Sequence, residues 1–405
     1  MKSKALLLEN IHLQAAEQLR EQGIGADTFD QALTPSKLNQ KLPGYHFLGI
    51  RSRTTINPQV LQYTKELLAI GIFGIGYNHV DLKACQHSGI AVFNAPYSNT
   101  RSVVELTLGN IIALARRSFD RSTQLHQGNW QKSADQCFEL RDKTLGIIGY
   151  GNIGSQLSVL AENLGMRVIY YDITEKLPLG NARKCQTMNE LLQTADIITV
   201  HVDGRPENTN LISNSQFQLM KPGVLFLNLS RGFVVQVDDL VKSLRTGRLG
   251  GAAIDVYPEE PKSNGPGFHT PLQKLPNVIL TPHIGAATAE AQQNIARFMA
   301  DKLLDYLRTG DTTLSLNFPQ LQLPKPNSFY RISHIHKNVP GVLANINSII
   351  AKHKLNIEGQ YLKTNETIGY VVTDVNKPVT TKVLQELKHI DNTVKVRLIN
   401  GNNEN

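Results

Sequence analysis

The chain has 405 residues, 41% hydrophobic and 19% charged, with a formal net charge of +8; this is a globular composition with room for two or three cores, and no apolar run approaches the ~20 residues that span a bilayer. Lys and Arg are dispersed rather than clustered, which argues against a nucleic-acid partner and fits steering of small anions instead. Cys85, Cys137 and Cys185 are far apart and make no metal-ligand spacing, so the expectation is no metal, reduced thiols and a cytoplasmic location.

The first apolar stretch, Ala5-Leu6-Leu7-Leu8, is too short for a signal peptide and reads as a strand. Residues 1–98 then alternate helical segments at 11–22, 58–68 and 80–87 with apolar strands at 46–50, 69–73 and 90–93. Such alternation predicts a parallel sheet flanked by helices. Ligands of these sheets bind at the carboxyl ends of strands. The loops Arg51-Ser52-Arg53-Thr54 and Gly74-Ile75-Gly76-Tyr77-Asn78 are therefore candidate substrate loops. Asn94-Ala95-Pro96 breaks the pattern, and a long helix over about 102–118 leads into a second domain.

That domain is organised around Leu145-Gly146-Ile147-Ile148-Gly149-Tyr150-Gly151-Asn152-Ile153-Gly154, an apolar strand, a glycine-rich turn and a helix start. Gly149, Gly151 and Gly154 make G-x-G-x-x-G. The first glycine turns the chain, the second lets backbone approach a pyrophosphate, and the third lets helix pack on strand. The pyrophosphate then sits at the positive helix N-terminus. A second strand at 167–171 ends in Asp172, near the spacing expected for the carboxylate that binds the ribose hydroxyls. Ile173 and Thr174 follow, with no arginine for a 2′-phosphate, which favours NAD over NADP.

Further apolar strands at 197–201, 224–228, 251–256 and 278–281 read as buried parallel strands. A helix over about 288–308 returns to the first domain, and 311–327, with Pro319, Pro324 and Pro326, reads as a linker. The tail follows a β-α-β-β-α-β pattern, a ferredoxin-like module. The expected domains are 1–98 with 286–327, then 99–285, then 328–405.

Three strand-end loops of the second domain carry chemistry: Arg231 after 224–228, Glu260 after 251–256 and His283 after 278–281. Loops at successive carboxyl ends converge. An arginine offers a planar fork to a carboxylate, a histidine exchanges protons near neutral pH, and a neighbouring carboxylate favours its charged form. The set suits interconversion of a 2-oxo acid and a 2-hydroxy acid by hydride transfer.

The succession of Gly149-Tyr150-Gly151-Asn152-Ile153-Gly154, Asn228-Leu229-Ser230-Arg231-Gly232, Asp255-Val256-Tyr257-Pro258-Glu259-Glu260-Pro261 and Thr281-Pro282-His283-Ile284-Gly285 resembles the D-2-hydroxyacid dehydrogenase family. Within it, Arg51-Ser52-Arg53-Thr54, Gly74-Ile75-Gly76-Tyr77-Asn78, the stretch 94–103 and His334-Ile335-His336-Lys337-Asn338-Val339-Pro340-Gly341 resemble the branch with one C-terminal ACT domain. The resemblance covers nearly the whole chain. It implies an α/β fold of two doubly wound, Rossmann-like parallel-sheet domains plus a ferredoxin-like ACT domain.

It also implies roles. Arg231, Glu260 and His283 match the catalytic residues; Glu260 is preferred to Glu259 because it adjoins Pro261. Gly149, Gly151, Asn152, Ile153, Gly154, Asp172, Leu229, Ser230, Asp255, Ile284, Gly285 and Ala286 match the NAD site. Arg51, Ser52, Arg53, Gly76, Asn99 and Lys132 match the site of a phosphorylated 2-hydroxy acid, and His336, Asn338 and Asn356 a site for L-serine as effector, bound between subunits. Leu229 and Phe233 depart from the family, which often has smaller residues there. The implied activity is NAD-dependent oxidation of 3-phosphoglycerate to 3-phosphohydroxypyruvate, the first step of L-serine biosynthesis, in a homotetramer inhibited by serine. Reduction of 2-oxoglutarate is an expected side activity, and a non-catalytic nicotinamide-sensing protein on the same fold is the alternative.

Overall fold

The computed structural model describes residues 3–62, 64–261, 264–324 and 330–400. Strands β1 (Lys4–Leu7), β2 (Gly25–Thr28), β3 (Phe47–Ile50), β4 (Ala69–Ile72) and β5 (Ala91–Asn94) form a parallel sheet in the order β2-β1-β3-β4-β5. Side chains alternate between its two faces. Ala5, Leu7, Phe47, Ala69 and Phe93 share a core with helix α1 (Leu13–Glu21). Leu6, Leu48, Ile50, Ile70, Ile72 and Val92 share another with α2 (Pro35–Lys41), α3 (Pro58–Leu61) and α4 (Leu82–His87). Asn57 and Asp81 cap α3 and α4 by accepting the N–H of Val60 (3.1 Å) and Ala84 (2.9 Å), and Pro58 opens α3 where its missing N–H costs nothing. The helix expected over 58–68 is thus a single turn. Strand β2 was not legible because only Ala26 of its residues is buried, so the sequence there carries no period-two apolar pattern.

The helix expected over 102–118 divides at Arg117, whose φ of 52° ends α5 (Thr100–Arg116) and starts α6 (Ser118–His126). There follow β6 (Thr144–Ile148), α7 (Asn152–Asn163), β7 (Arg167–Tyr171), β8 (Arg183–Lys184), α8 (Met188–Thr194), β9 (Ile197–Val200), α9 (Asn214–Leu219), β10 (Val224–Asn228), α10 (Val237–Arg245), β11 (Leu249–Ile254) and β12 (Val278–Leu280). The strands form a second parallel sheet in the order β12-β11-β10-β9-β6-β7-β8. Leu145, Ile147, Leu225 and Leu227 pack with α5 and α7 on one face; Ile148, Ile198, Val200 and Phe226 pack with α8, α9 and α10 on the other. The chain reverses direction across the sheet between β6 and β9, the switch point where a crevice opens at the strand carboxyl ends.

Helix α11 (Ala289–Thr309) carries the chain back to the first sheet, where Met299 packs over Gly71. Up to residue 324 the expected linker is instead part of the fold. Leu316 donates its N–H to Val92 O (2.8 Å), the Asn317 side chain accepts that of Val92 (2.9 Å), and Phe318 and Leu323 enter the core. Prolines and missing periodicity suggest a linker, but a side-chain amide bonding to a strand edge leaves no periodic signature. Pro326 and the rest of the expected linker lie outside the described residues.

The last module is β13 (Tyr330–Lys337), α12 (Val342–Lys352), β14 (Ile357–Thr364), β15 (Ile368–Val375), α13 (Thr381–Lys388) and β16 (Thr393–Asn400), an antiparallel sheet in the order β14-β15-β13-β16. Ile332, Val371 and Val375 pack under its helices. Ile335, Tyr370 and Val372 on the other face join the core of the first sheet. Arg331, 1% exposed, forks onto Asp374 (2.6 and 2.7 Å) and donates to Thr309 O and Pro324 O (both 2.9 Å). Residues 1–96 and 293–405 consequently form one compact unit and residues 97–292 the other. Among the described residues, no helix is long and apolar enough to cross a membrane.

Candidate active site

At the β6–α7 turn the three glycines have separate jobs. Gly149 has φ 91°, and a Cβ there would meet His201 O at 2.6 Å. A Cβ on Gly154 would meet Gly149 O at 2.5 Å, so this residue sets how closely helix and turn approach. A Cβ on Gly151 would meet nothing within 4 Å. The backbone there faces open space, next to the first residues of α7, Asn152 and Ile153, whose N–H groups have no partner one turn back within the helix. Asp172, past β7, accepts the N–H of Tyr150 (2.9 Å) at one oxygen and the N–H and hydroxyl of Thr174 (both 2.9 Å) at the other. This ties the carboxylate beside the glycine turn. The cradle fits a dinucleotide: an open second glycine, a helix N-terminus for the phosphates and a carboxylate for the ribose.

Arg231, Glu260 and His283 stand at the carboxyl ends of β10, β11 and β12, adjacent strands of the same sheet. Asn228, the last residue of β10, shapes the first loop. Its Oδ1 accepts the N–H (3.0 Å) and hydroxyl (2.8 Å) of Ser230, and its Nδ2 donates to Arg231 O (3.0 Å). Glu260 folds back so that Oε1 accepts the Tyr257 N–H (3.1 Å) while Oε2 meets His283 Nδ1 at 2.7 Å. The bond to Glu260 raises the His283 pKa from its ordinary value against the opposing effect of burial; Asp255 adds to the rise and Arg231 subtracts from it. Burial pushes the Glu260 carboxyl up, but His283, the Tyr257 N–H and Arg231 outweigh it and hold the pKa low. The three charges therefore sense one another across the loops.

Asp255, 1% exposed, holds the histidine loop. It accepts the Thr281 hydroxyl (2.6 Å) and the N–H groups of Ile284 and Gly285 (both 2.9 Å). Between these anchors His283 adopts φ 53°, a left-handed conformation uncommon outside glycine and often found at functional positions. Ser230 is buried, Ile284 is exposed, and Ala286 accepts from the Gln292 side chain (2.9 Å). Leu229 is buried in the core between the sheet and α5, and Phe233 packs against the core on the sheet's other face.

Arg51, Ser52 and Arg53 follow β3 and Gly76 follows β4, so both loops lie at carboxyl ends of the first sheet. In the other unit Asn99 precedes α5, nearly buried, with an Oδ1 that accepts no hydrogen bond, and Lys132 is exposed on the irregular stretch between α6 and β6. In the last module the three residues that the resemblance assigns to an effector do not meet within one chain. His336 pairs with Gly369 at the start of β15, whereas Ile357, next to Asn356, pairs with Val375 at its end. Those ends are about 20 Å apart at the rise of a strand. The His336 ring is buried, its Nδ1 bonds Lys337 O (2.7 Å) and its Nε2 has no partner. Asn338 Nδ2 donates to Asn365 O (2.8 Å), and Asn356 Nδ2 to Glu358 (2.7 Å).

Sequence reasoning missed Asn228 and Tyr257 as shapers of the site. A polar residue closing an apolar strand just before a turn was the available signal for Asn228, since asparagine commonly bonds the backbone two residues on. Tyr257, whose hydroxyl donates to Ile254 O and Thr281 O (both 3.1 Å), gave none.

Residues 108–285 match the NAD-binding domain of the D-isomer-specific 2-hydroxyacid dehydrogenases, and residues 332–395 match an ACT domain like that of the AHAS small subunit. The chain is 45% identical over 398 residues to the D-3-phosphoglycerate dehydrogenase of Dictyostelium discoideum, covering 98% of this chain and 97% of that one. It is 46% identical over 401 residues to the enzyme of the same name from Escherichia coli, covering 98% of each. Among solved structures, the TT0316 protein of Thermus thermophilus superposes with a TM-score of 0.69 at 32% identity, over 75% of this chain and 96% of that one.

Proposed function

The chain belongs to the D-3-phosphoglycerate dehydrogenases, an NAD-dependent branch of the D-isomer-specific 2-hydroxyacid dehydrogenase family, and from that premise we propose how its own residues oxidise 3-phosphoglycerate to 3-phosphohydroxypyruvate in serine biosynthesis. The observation that carries the reading is the 2.7 Å pairing of His283 Nδ1 with Glu260, on the strand ends that also present Arg231. The pairing commits Nδ1 and leaves Nε2 to take the proton of the substrate's 2-hydroxyl. Arg231 holds the 2-carboxylate and steadies the negative charge that grows on the hydroxyl oxygen as it becomes a ketone. Glu260 orients the ring and stabilises its charged form once the proton has moved. Bound NAD supplies the acceptor for the hydride leaving C2. Its pyrophosphate is assigned to the N–H groups of Asn152 and Ile153 and its ribose to Asp172; Ser230, Ile284, Gly285 and Ala286 are assigned to the remainder, with the buried Leu229 and Asp255 supporting that wall from behind. Arg51 and Arg53, with Ser52, Gly76, Asn99 and Lys132, are assigned to the substrate, the two guanidinium groups supplying the charge a phosphate needs.

The first experiment is NADH oxidation with 3-phosphohydroxypyruvate, 2-oxoglutarate and pyruvate side by side. The expected order places the phosphorylated substrate first and 2-oxoglutarate second. Binding of NADH with no turnover of any of the three would favour a nicotinamide sensor instead.

L-serine is the proposed effector. Because His336 and Asn338 sit at one end of the module sheet and Asn356 at the other, a complete site needs ends from two copies, which supports a homo-oligomer and, by the family's pattern, a tetramer. Pro340 and Gly341 keep the loop beside Asn338 slim enough for a second module to approach; a Cβ on Gly341 would meet nothing within 4 Å. L-serine is expected to inhibit turnover in the wild type, and His336→Ala is expected to abolish that inhibition while turnover persists. Equal inhibition of both in a titration would sink this assignment. Three unpaired cysteines support a reducing, cytoplasmic compartment.

A further inference from the structure

Glu9 follows β1 and is 1% exposed, yet it takes no part in the chemistry above. One of its oxygens accepts the backbone N–H groups of Ser52 (3.1 Å) and Arg53 (2.9 Å), and the other that of Thr54 (2.8 Å). Arg53 Nε lies 3.7 Å from the same carboxylate. The chain reaches this geometry through two successive left-handed residues, Glu9 (φ 64°) and Asn10 (φ 54°). Burial pushes the Glu9 carboxyl up, but the hydrogen bonds from the loop outweigh it and hold the pKa below the usual range.

Three consecutive N–H groups converging on one point form a concavity that binds anions. Here the chain's own carboxylate fills it. The backbone donors of the loop are thereby used up, and an incoming anion meets the arginine side chains instead. An arginine fork discriminates only when its backbone is fixed, because each long side chain otherwise loses rotamer entropy on binding. Glu9 does the fixing.

We propose that Glu9 is a positioning residue for phosphate recognition, holding the backbone of Arg51-Ser52-Arg53 so that both guanidinium groups are presented together to the substrate's phosphate. The proposal rests on the function assigned above.

The test compares steady-state kinetics of the wild type and Glu9→Gln with 3-phosphohydroxypyruvate and with hydroxypyruvate, which lacks the phosphate. Losing hydrogen bonds to a charged group is expected to raise KM for the phosphorylated substrate about tenfold or more. KM for hydroxypyruvate should stay within about twofold, and kcat for both within about threefold, if the effect is one of positioning rather than of general damage. In an Arg51→Ala background the Glu9→Gln change should add little, because the two act through one contact. Fluorescence titration with NADH, which binds the other unit, checks that each variant is folded. Should Glu9→Gln not fold, Glu9→Asp, with the same charge on a shorter reach, is read the same way.

Equal rises in KM for both substrates, equal losses in kcat, or no change at all would overturn the proposal. A wild type that turns over 3-phosphohydroxypyruvate beside an indifferent Glu9→Gln sinks this proposal alone. A wild type that does not turn it over sinks the assigned function as well.

Discussion

His283→Asn is expected to lower kcat for 3-phosphoglycerate oxidation about 10³-fold, the range of general acid–base catalysis, while NADH still binds. Asparagine can hydrogen-bond Glu260 but cannot take a proton. The loop that carries residue 283 is held by Asp255 through Thr281, Ile284 and Gly285 and should survive the change. The pH profile separates this role from a structural one. In the oxidative direction His283 must start neutral, so the rate rises as pH climbs through its pKa. Glu260 raises that pKa, which places the rising limb above the ordinary histidine value of about 6.5. Glu260→Gln removes the principal cause of the rise, and the limb should move to lower pH. In the reductive direction the histidine must start charged, so the falling limb at high pH should move the same way. Profiles of kcat/KM in both directions check this; a Glu260→Gln profile superimposable on the wild type would show that the pair does not set the titration.

The sequence was most legible where one physical demand acts on consecutive residues. The central strands β9 and β10 of the nucleotide-binding sheet are buried along their whole length and read as largely apolar runs, as Val224-Leu225-Phe226-Leu227 does, whereas the edge strand β8, Arg183-Lys184, carries no such signal. The glycine turn was legible because Gly149 and Gly154 each meet a steric condition that excludes a side chain, with Gly151 between them at the spacing of a dinucleotide turn. Beyond such runs the signal thins. Glu9 is 43 to 45 positions from the N–H groups it binds, and nothing local marks an ionised side chain that will be buried against another loop. Asn317 reaches Val92 across a far longer stretch of chain, so its surroundings resembled a linker. The residues that the resemblance assigns to an effector show the converse. His336, Asn338 and Asn356 are singled out by the family pattern, but only the register of β15 with its neighbours reveals that one chain keeps the first two apart from the third.

Arg231→Gln is the second large effect, expected to lower kcat/KM about 10³-fold, since removal of a single donor to a developing oxyanion already costs 10²–10³ in kcat and here the carboxylate loses its fork too. Arg231→Lys should recover only part, because an ammonium restores the charge without the planar pair of donors. The guanidinium is positioned rather than merely present. Asn228 fixes its carbonyl from one side (3.0 Å), and Arg231 Nη1 donates to Ser230 O (2.7 Å). On the far side Gly232 touches the turn that carries Glu260: an added Cβ there would overlap the carbonyl of Tyr257. The close approach of those two loops makes the charges of Arg231, Glu260 and His283 interact. Removing the Arg231 charge therefore also takes away one of the two influences that lower the His283 pKa, the other being burial, and the oxidative limb of whatever activity remains should move to higher pH, opposite to the shift in Glu260→Gln. Opposed shifts in the two variants are the signature of a histidine poised between a carboxylate and a guanidinium. An unshifted limb in Arg231→Gln would mean that Arg231 acts on the substrate alone.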